Sequence, residues 1–147
     1  MRLVWDADVV LEVLLDRGVE AAASARLMNR VERGELVGYL CDTTVLQLHA
    51  AAKRMIGTEA AARELRKVLL LFDVTPVNRV VLESALMNEA LEFEDAVLYE
   101  AARHSGAEAL VTRSFPAFKG AALPVATPEK LLKVLSQKGR SHAEAWS

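Results

Sequence analysis

A single cysteine, Cys41, rules out any internal disulfide in this chain of 147 residues. It ends the apolar run Leu36-Val37-Gly38-Tyr39-Leu40, a setting that suits a buried structural thiol better than a nucleophile. A dominant charge is also lacking. Eighteen Lys and Arg against twenty Asp and Glu leave a net charge of -2, which argues against a strongly basic nucleic-acid clamp. An enzyme with local, metal-assisted contacts to nucleic acid stays open. No apolar run reaches membrane-spanning length, because charges interrupt the alanine- and leucine-rich stretches. The N-terminus offers one basic residue, Arg2, and the short run Leu3-Val4-Trp5 before Asp6, unlike the usual secretory signal, so the expected location is the cytoplasm. No repeat or interdomain linker is visible.

What is present is globular composition, 52% hydrophobic and 26% charged, in a length that suits one domain. The expected limits are residues 1–135 for the domain and 136–147 for a flexible polar tail. Apolar runs alternate with helical patterns, the order of an α/β domain: three layers, with a central, mostly parallel five-stranded sheet flanked by helices. Strands are expected at Leu3 to Trp5, Leu36 to Cys41, Leu70 to Thr75, Ala109 to Thr112 and Leu123 to Ala126. Val9, Val10, Val13 and Leu14 form the face of a first helix, and further helices are expected over Val19 to Glu32, from Asp42, from Thr58, over Asn78 to Ala90 and from Glu94. Thr127-Pro128 reads as an N-cap and first helical position of a closing helix.

Two acidic doublets stand out against this frame: Asp6 and Asp8 after the first strand, and Glu94 and Asp95 at the start of a helix. A parallel sheet brings the ends of distant strands to one crevice, where a divalent cation offsets the repulsion of such carboxylates. The plainer reading is that each doublet caps a helix or favours its positive end. Residues 111–118 would supply a further ligand to such a site, yet contain no carboxylate.

The order of these blocks resembles the PIN domain family, the metal-dependent ribonuclease fold of VapC-type toxins. The similarity lies in Leu3 to Glu12, with Asp8 at a position usually held by asparagine, in Phe93-Glu94-Asp95-Ala96 followed by Ala101 and Gly106, and in Ala109 to Arg113. Phe118-Lys119-Gly120 and Leu123 to Glu129 continue it. The resemblance implies that Asp6 and Asp95 are catalytic and hold Mg²⁺ or Mn²⁺, with Asp8 and Glu94 as compensating metal ligands, and that Gln47, Arg113 and Ser114 contact substrate. It implies RNA as substrate, an antitoxin protein as partner and a homodimer. The chain departs from the pattern at Gln47, where a glutamate is common, and at Ser114 and Ala117, where acidic or amide residues are expected.

Those departures favour a second reading, a catalytically impaired PIN domain that binds RNA or protein without cleaving. A third takes Asp6-Ala7-Asp8-Val9 as the nucleophile motif of a haloacid dehalogenase-like phosphatase. For Arg113 two roles stay open, a contact to RNA phosphate or an ion pair with a nearby carboxylate. Lys53 and Arg54 suit a helix C-terminus, His49 and His104 read as structural, and Trp5 reads as core. Arg26, Arg30 and Arg33 form a stripe at helical spacing, read first as a solvated face and second as a contact for RNA or a partner. His142 and Trp146, in the expected tail, have no assigned role.

Overall fold

A computed structural model describes residues 1–16, 18–137 and 146. Five parallel strands form one sheet: β1 (Arg2–Trp5), β2 (Val37–Cys41), β3 (Asp73–Thr75), β4 (Ala109–Val111) and β5 (Val125–Ala126), in the order β3-β2-β1-β4-β5. The helices are α1 (Ala7–Leu14), α2 (Ala21–Glu32), α3 (Asp42–Ile56), α4 (Thr58–Leu71), α5 (Arg79–Met87), α6 (Phe93–His104) and α7 (Pro128–Ser136).

The alternation of side chains along β1 sorts the helices into two layers. Leu3 and Trp5 join a core with residues of α1 to α4 and α7, whereas Val4 joins Cys41, Leu110 and residues of α5 and α6 on the other face. All three β1 side chains are fully buried, as expected of the middle strand of a covered parallel sheet. Trp5 meets Phe72 edge-to-face at 5.1 Å between ring centroids. Gly38 makes room for this pair: a Cβ there would lie 2.6 Å from two carbons of the Phe72 ring.

The expected third strand is shorter than its apolar run. Leu70 and Leu71 complete α4, and only Asp73–Thr75 pairs with β2. Leu70 is 86% exposed, so the run owes its apolar character to no buried strand. Asn78 is the N-cap of α5, accepting from the Val81 amide, and the helix ends at Met87 rather than at Ala90. Thr127 caps α7 as expected, with Pro128 in its first turn. Of the expected tail, Ser136 belongs to α7 and Trp146 packs against the larger core, while His142 and the other residues beyond 137 lie outside the described residues.

The strand order has one functional consequence. The chain leaves β1 for β2 on one side, and β4 lies on the other, so the C-terminal end of β1 is the point where the winding reverses. Open parallel sheets bind ligands in the crevice at such a point.

Candidate active site at the end of the central strand

Asp6 occupies that crevice. Its amide donates to the Val111 carbonyl at 2.9 Å, extending the β1–β4 pairing by one residue before the chain turns into α1. As N-cap of α1 it accepts from the Ala7 amide through Oδ1 at 2.7 Å. The Thr112 hydroxyl donates to its Oδ2, also at 2.7 Å. Both oxygens are therefore fixed, one from its own helix and one from the end of the neighbouring strand.

The electrostatics run against ionisation. Burial raises the Asp6 carboxyl above its ordinary value, the Asp8 charge raises it further and the Asp95 charge adds a smaller push, while the Thr112 and Ala7 hydrogen bonds oppose the rise. The fold thus brings Asp8 and Asp95 each within electrostatic reach of Asp6, although Asp95 comes from the first turn of α6. Such mutual repulsion in a partly buried crevice is what a bound cation relieves.

Asp8 is tied to the other side of the crevice. The Arg113 amide and the Ser114 hydroxyl donate to its Oδ2 at 3.2 and 3.1 Å. Its Oδ1 is buried and has no hydrogen-bond partner among the described residues. An orphaned carboxylate oxygen beside Asp6 is a free ligand position. Mg²⁺ and Mn²⁺ take one or two protein carboxylates and keep much of their water. Among the described residues, no group of three or more His, Cys, Asp or Glu side chains is placed so that it could hold a metal ion.

The remaining expected site residues divide between a groove and the segment that follows β4. Gln47 and Glu94 share a groove of about 230 Å³ with Thr43, Val77, Leu82, Phe93 and Val97. Ser114 is bound to Asp8, and Ala117 lies exposed in the loop that follows β4. Of the two roles open for Arg113, the ion pair is present. Its Nε donates to Glu12, and its two terminal nitrogens bind the Glu129 carboxylate at 2.8 and 2.9 Å.

Other expectations resolve simply. Cys41 is buried, and burial, with help from the Asp42 charge, pushes its thiol up to about 12, so it stays protonated at neutral pH. Lys53 and Arg54 sit in the last turn of α3, and His49 is exposed on the same helix. His104 lies 3.3 Å from the Ser84 hydroxyl and 4.0 Å from the Glu100 carboxylate of its own helix. Within the arginine stripe, Arg30 and Arg33 both pair with Glu35.

Thr112 and Glu12 carry no role expected from the sequence, and Asp42 only that of a helix start, where the structure puts Cys41 in the cap position and Asp42 in the first turn of α3; all three belong to the site or its surround. Thr112 follows β4 as Asp6 follows β1, and pairing of Trp5 with Val111 sets the two side by side. Asp42 follows β2 at the same edge, where its carboxylate accepts from the Thr43 amide at 2.8 Å and, more weakly, from the Val77 amide. The signal for both was position at a strand end, usable only once the strand order is known.

A family model described as PIN domain matches residues 2–115, which include Asp6, Asp8, Gln47, Glu94, Asp95 and Arg113. The chain belongs to the PIN domain family. Solved structures share the fold at low identity. FitAcB from Neisseria gonorrhoeae superposes with a TM-score of 0.68 at 17% identity, over 86% of this chain and 98% of that one. A toxin-antitoxin complex from Klebsiella pneumoniae gives 0.63 at 20% identity, over 86% and 97%. Mycobacterium tuberculosis VapC20, described as a Sarcin-Ricin loop cleaving toxin, gives 0.58 at 15% identity, over 74% and 86%. Comparison with curated proteins yields no match. Membership of the PIN family displaces the phosphatase reading of Asp6-Ala7-Asp8-Val9. No helix among the described residues is long and apolar enough to cross a membrane.

Proposed function

We propose that this PIN domain is a ribonuclease of a toxin–antitoxin pair, dependent on Mg²⁺ or Mn²⁺ held by Asp6, Asp95 and Asp8. The observation that carries the reading is the Asp6 carboxylate, fixed at the end of the central strand and loaded by the charges of Asp8 and Asp95. When bound, the cation would supply Lewis acidity and an activated water for in-line attack on a phosphodiester. The protein's part is orientation: Ala7 and Thr112 hold Asp6 in one rotamer, and Arg113 and Ser114 hold Asp8 through a single oxygen. Asp8 thereby takes up the charge that Gln47, Ser114 and Ala117 do not provide. Glu94, which lines the same groove as Gln47, would add its charge as a further metal ligand.

The antitoxin partner is inferred from the similar Klebsiella pneumoniae structure, a toxin-antitoxin complex. A homodimer is proposed on the exposed apolar residues Val80, Leu82, Leu86 and Phe93 of α5 and α6. A cytoplasmic location fits an RNA substrate. Incubation of a structured RNA with the native chain, Asp6→Asn and Asp95→Asn, in Mn²⁺ and in chelator, tests the reading. Cleavage confined to the native chain with metal supports it.

A second reading is favoured by the open donor set: without a closed cage, and with a neutral Gln47, the fold would serve as an RNA- or protein-binding module. RNA retention without cleavage under every metal condition would select it.

A further inference from the structure

We infer that Arg113 is a positioning residue for the acidic site, holding the segment after β4 so that Thr112 and the Arg113 amide meet Asp6 and Asp8. The inference rests on the metal-site reading above.

Thr112 serves Asp6 through its hydroxyl, Arg113 serves Asp8 through its amide and Ser114 serves Asp8 through its hydroxyl, so three consecutive residues fix two carboxylates. The regular sheet ends at Val111, and the only ladder bond beyond it is the Thr112 amide to the Ala126 carbonyl at 3.0 Å. A segment leaving a strand needs another restraint to hold sub-ångström geometry.

The Arg113 side chain is that restraint. It runs away from the carboxylates it serves through its backbone and ends in a network drawn from three helices. Its Nε donates to Glu12 of α1. A terminal nitrogen donates to the Glu20 carbonyl, just before α2, at 2.8 Å, and the Glu129 carboxylate of α7 takes both terminal nitrogens. Glu12 is itself oriented by the hydroxyl of Ser24, a fully buried residue of α2, at 2.6 Å. The two-pronged geometry to Glu129 suits a guanidinium and no ammonium. With 17% of its side chain exposed and its donors engaged, Arg113 has little left to offer a phosphate.

Glu12 and Asp8 lie one helical turn apart on α1, so Arg113 grips the same helix twice, by backbone at Asp8 and by side chain at Glu12. The register between the β4 exit and α1 is thereby set, and with it the meeting of Thr112 and Asp6. The positioning is indirect: Arg113 touches no reacting atom.

The test compares the native chain with Arg113→Lys, Arg113→Met and Glu129→Gln. Amide hydrogen exchange at residues 7, 112 and 113, whose amides are bonded to Asp6, Ala126 and Asp8, is read together with Mn²⁺ affinity and with kcat and KM for RNA cleavage. Expected are faster exchange at those amides with unchanged β1 amides, Mn²⁺ binding weakened roughly 10- to 100-fold in Arg113→Met, and kcat lowered with KM held. Arg113→Lys should recover little, because it restores the charge without the fork. Glu129→Gln, at the exposed rim, should fold normally and show a weaker form of the same changes. Unchanged exchange, with KM rising or with no kinetic change, overturns the proposal; a KM rise would identify a phosphate contact instead. If the native chain binds no Mn²⁺, the metal reading fails by itself, and exchange at residues 7, 112 and 113 still decides whether Arg113 holds the segment.

Discussion

The Thr112 hydroxyl donates to Asp6 Oδ2 across 2.7 Å, joining the ends of β4 and β1, two strands separated by most of the chain. This bond fixes the one carboxylate that the strand order places in the crevice, and it lowers the cost of ionising it. Thr112 is only 3% exposed, so the bond is shielded from competing water.

Thr112→Val should therefore harm the site more than the fold. The change keeps the branched shape and removes the donor, leaving Asp6 more reluctant to ionise. Expected are a stability loss of about 1 kcal/mol and a roughly 10- to 100-fold fall in Mn²⁺ affinity. Chemical denaturation and metal titration of the same samples check both.

Asp6→Asn should stabilise the metal-free protein at neutral pH. A carboxyl raised above its ordinary value of 3.8 carries no penalty below that value, and stability is lost as pH rises through the folded-state value. At pH 7 the penalty is fully present, and asparagine removes it while still capping α1. Melting in chelator should show Asp6→Asn above the native chain by roughly 2–4 °C, the shift about 1 kcal/mol gives a domain of this size. The gap should close on acidification below about pH 4, and Mn²⁺ should raise the native chain alone.

Glu129 titrates in the opposite sense. Its hydrogen bonds from Arg113 hold the carboxyl below the ordinary 4.5, so the pair's contribution is present above that pH and lost as pH falls through the folded-state value. The side chain is 47% exposed, and solvent screening limits the contribution to about 1 kcal/mol or less. Glu129→Gln should accordingly lose at most that contribution at pH 7, with the gap to the native chain closing as pH falls below the ordinary 4.5, so that the acid limb of the stability profile is flatter. A pH series of urea melts measures this.

Gly38→Ala tests the packing beneath the site. The added methyl meets the Phe72 ring, which is locked against Trp5, the residue preceding Asp6. A loss of about 1–3 kcal/mol is expected. A variant as stable as the native chain would show that the ring moves freely.

The alternation of strands and helices, the cap at Thr127 and the placement of Asp6 after the first strand were legible in the sequence, because each depends on local pattern or on chain order. The end of α4 was not. Leu69, Leu70 and Leu71 make an apolar run that periodicity cannot assign over so few residues, and the structure turns Leu69 and Leu70 to solvent while Leu71 packs against the core. The Arg113 network was hidden for a different reason. Glu12, Glu20 and Glu129 are ordinary helix residues one at a time, and their convergence follows from how α1, α2 and α7 pack on one face of the sheet. Thr112 sits between these cases: its place at a strand end is local, while its partner follows from the strand order.

The most direct test of the central claim is calorimetric titration of Mn²⁺ into the metal-free native chain, Asp6→Asn, Asp8→Asn and Asp95→Asn. The account predicts saturable binding to the native chain that is lost in Asp6→Asn and Asp95→Asn and weakened in Asp8→Asn. No binding to the native chain at millimolar Mn²⁺, or binding indifferent to all three substitutions, would contradict it.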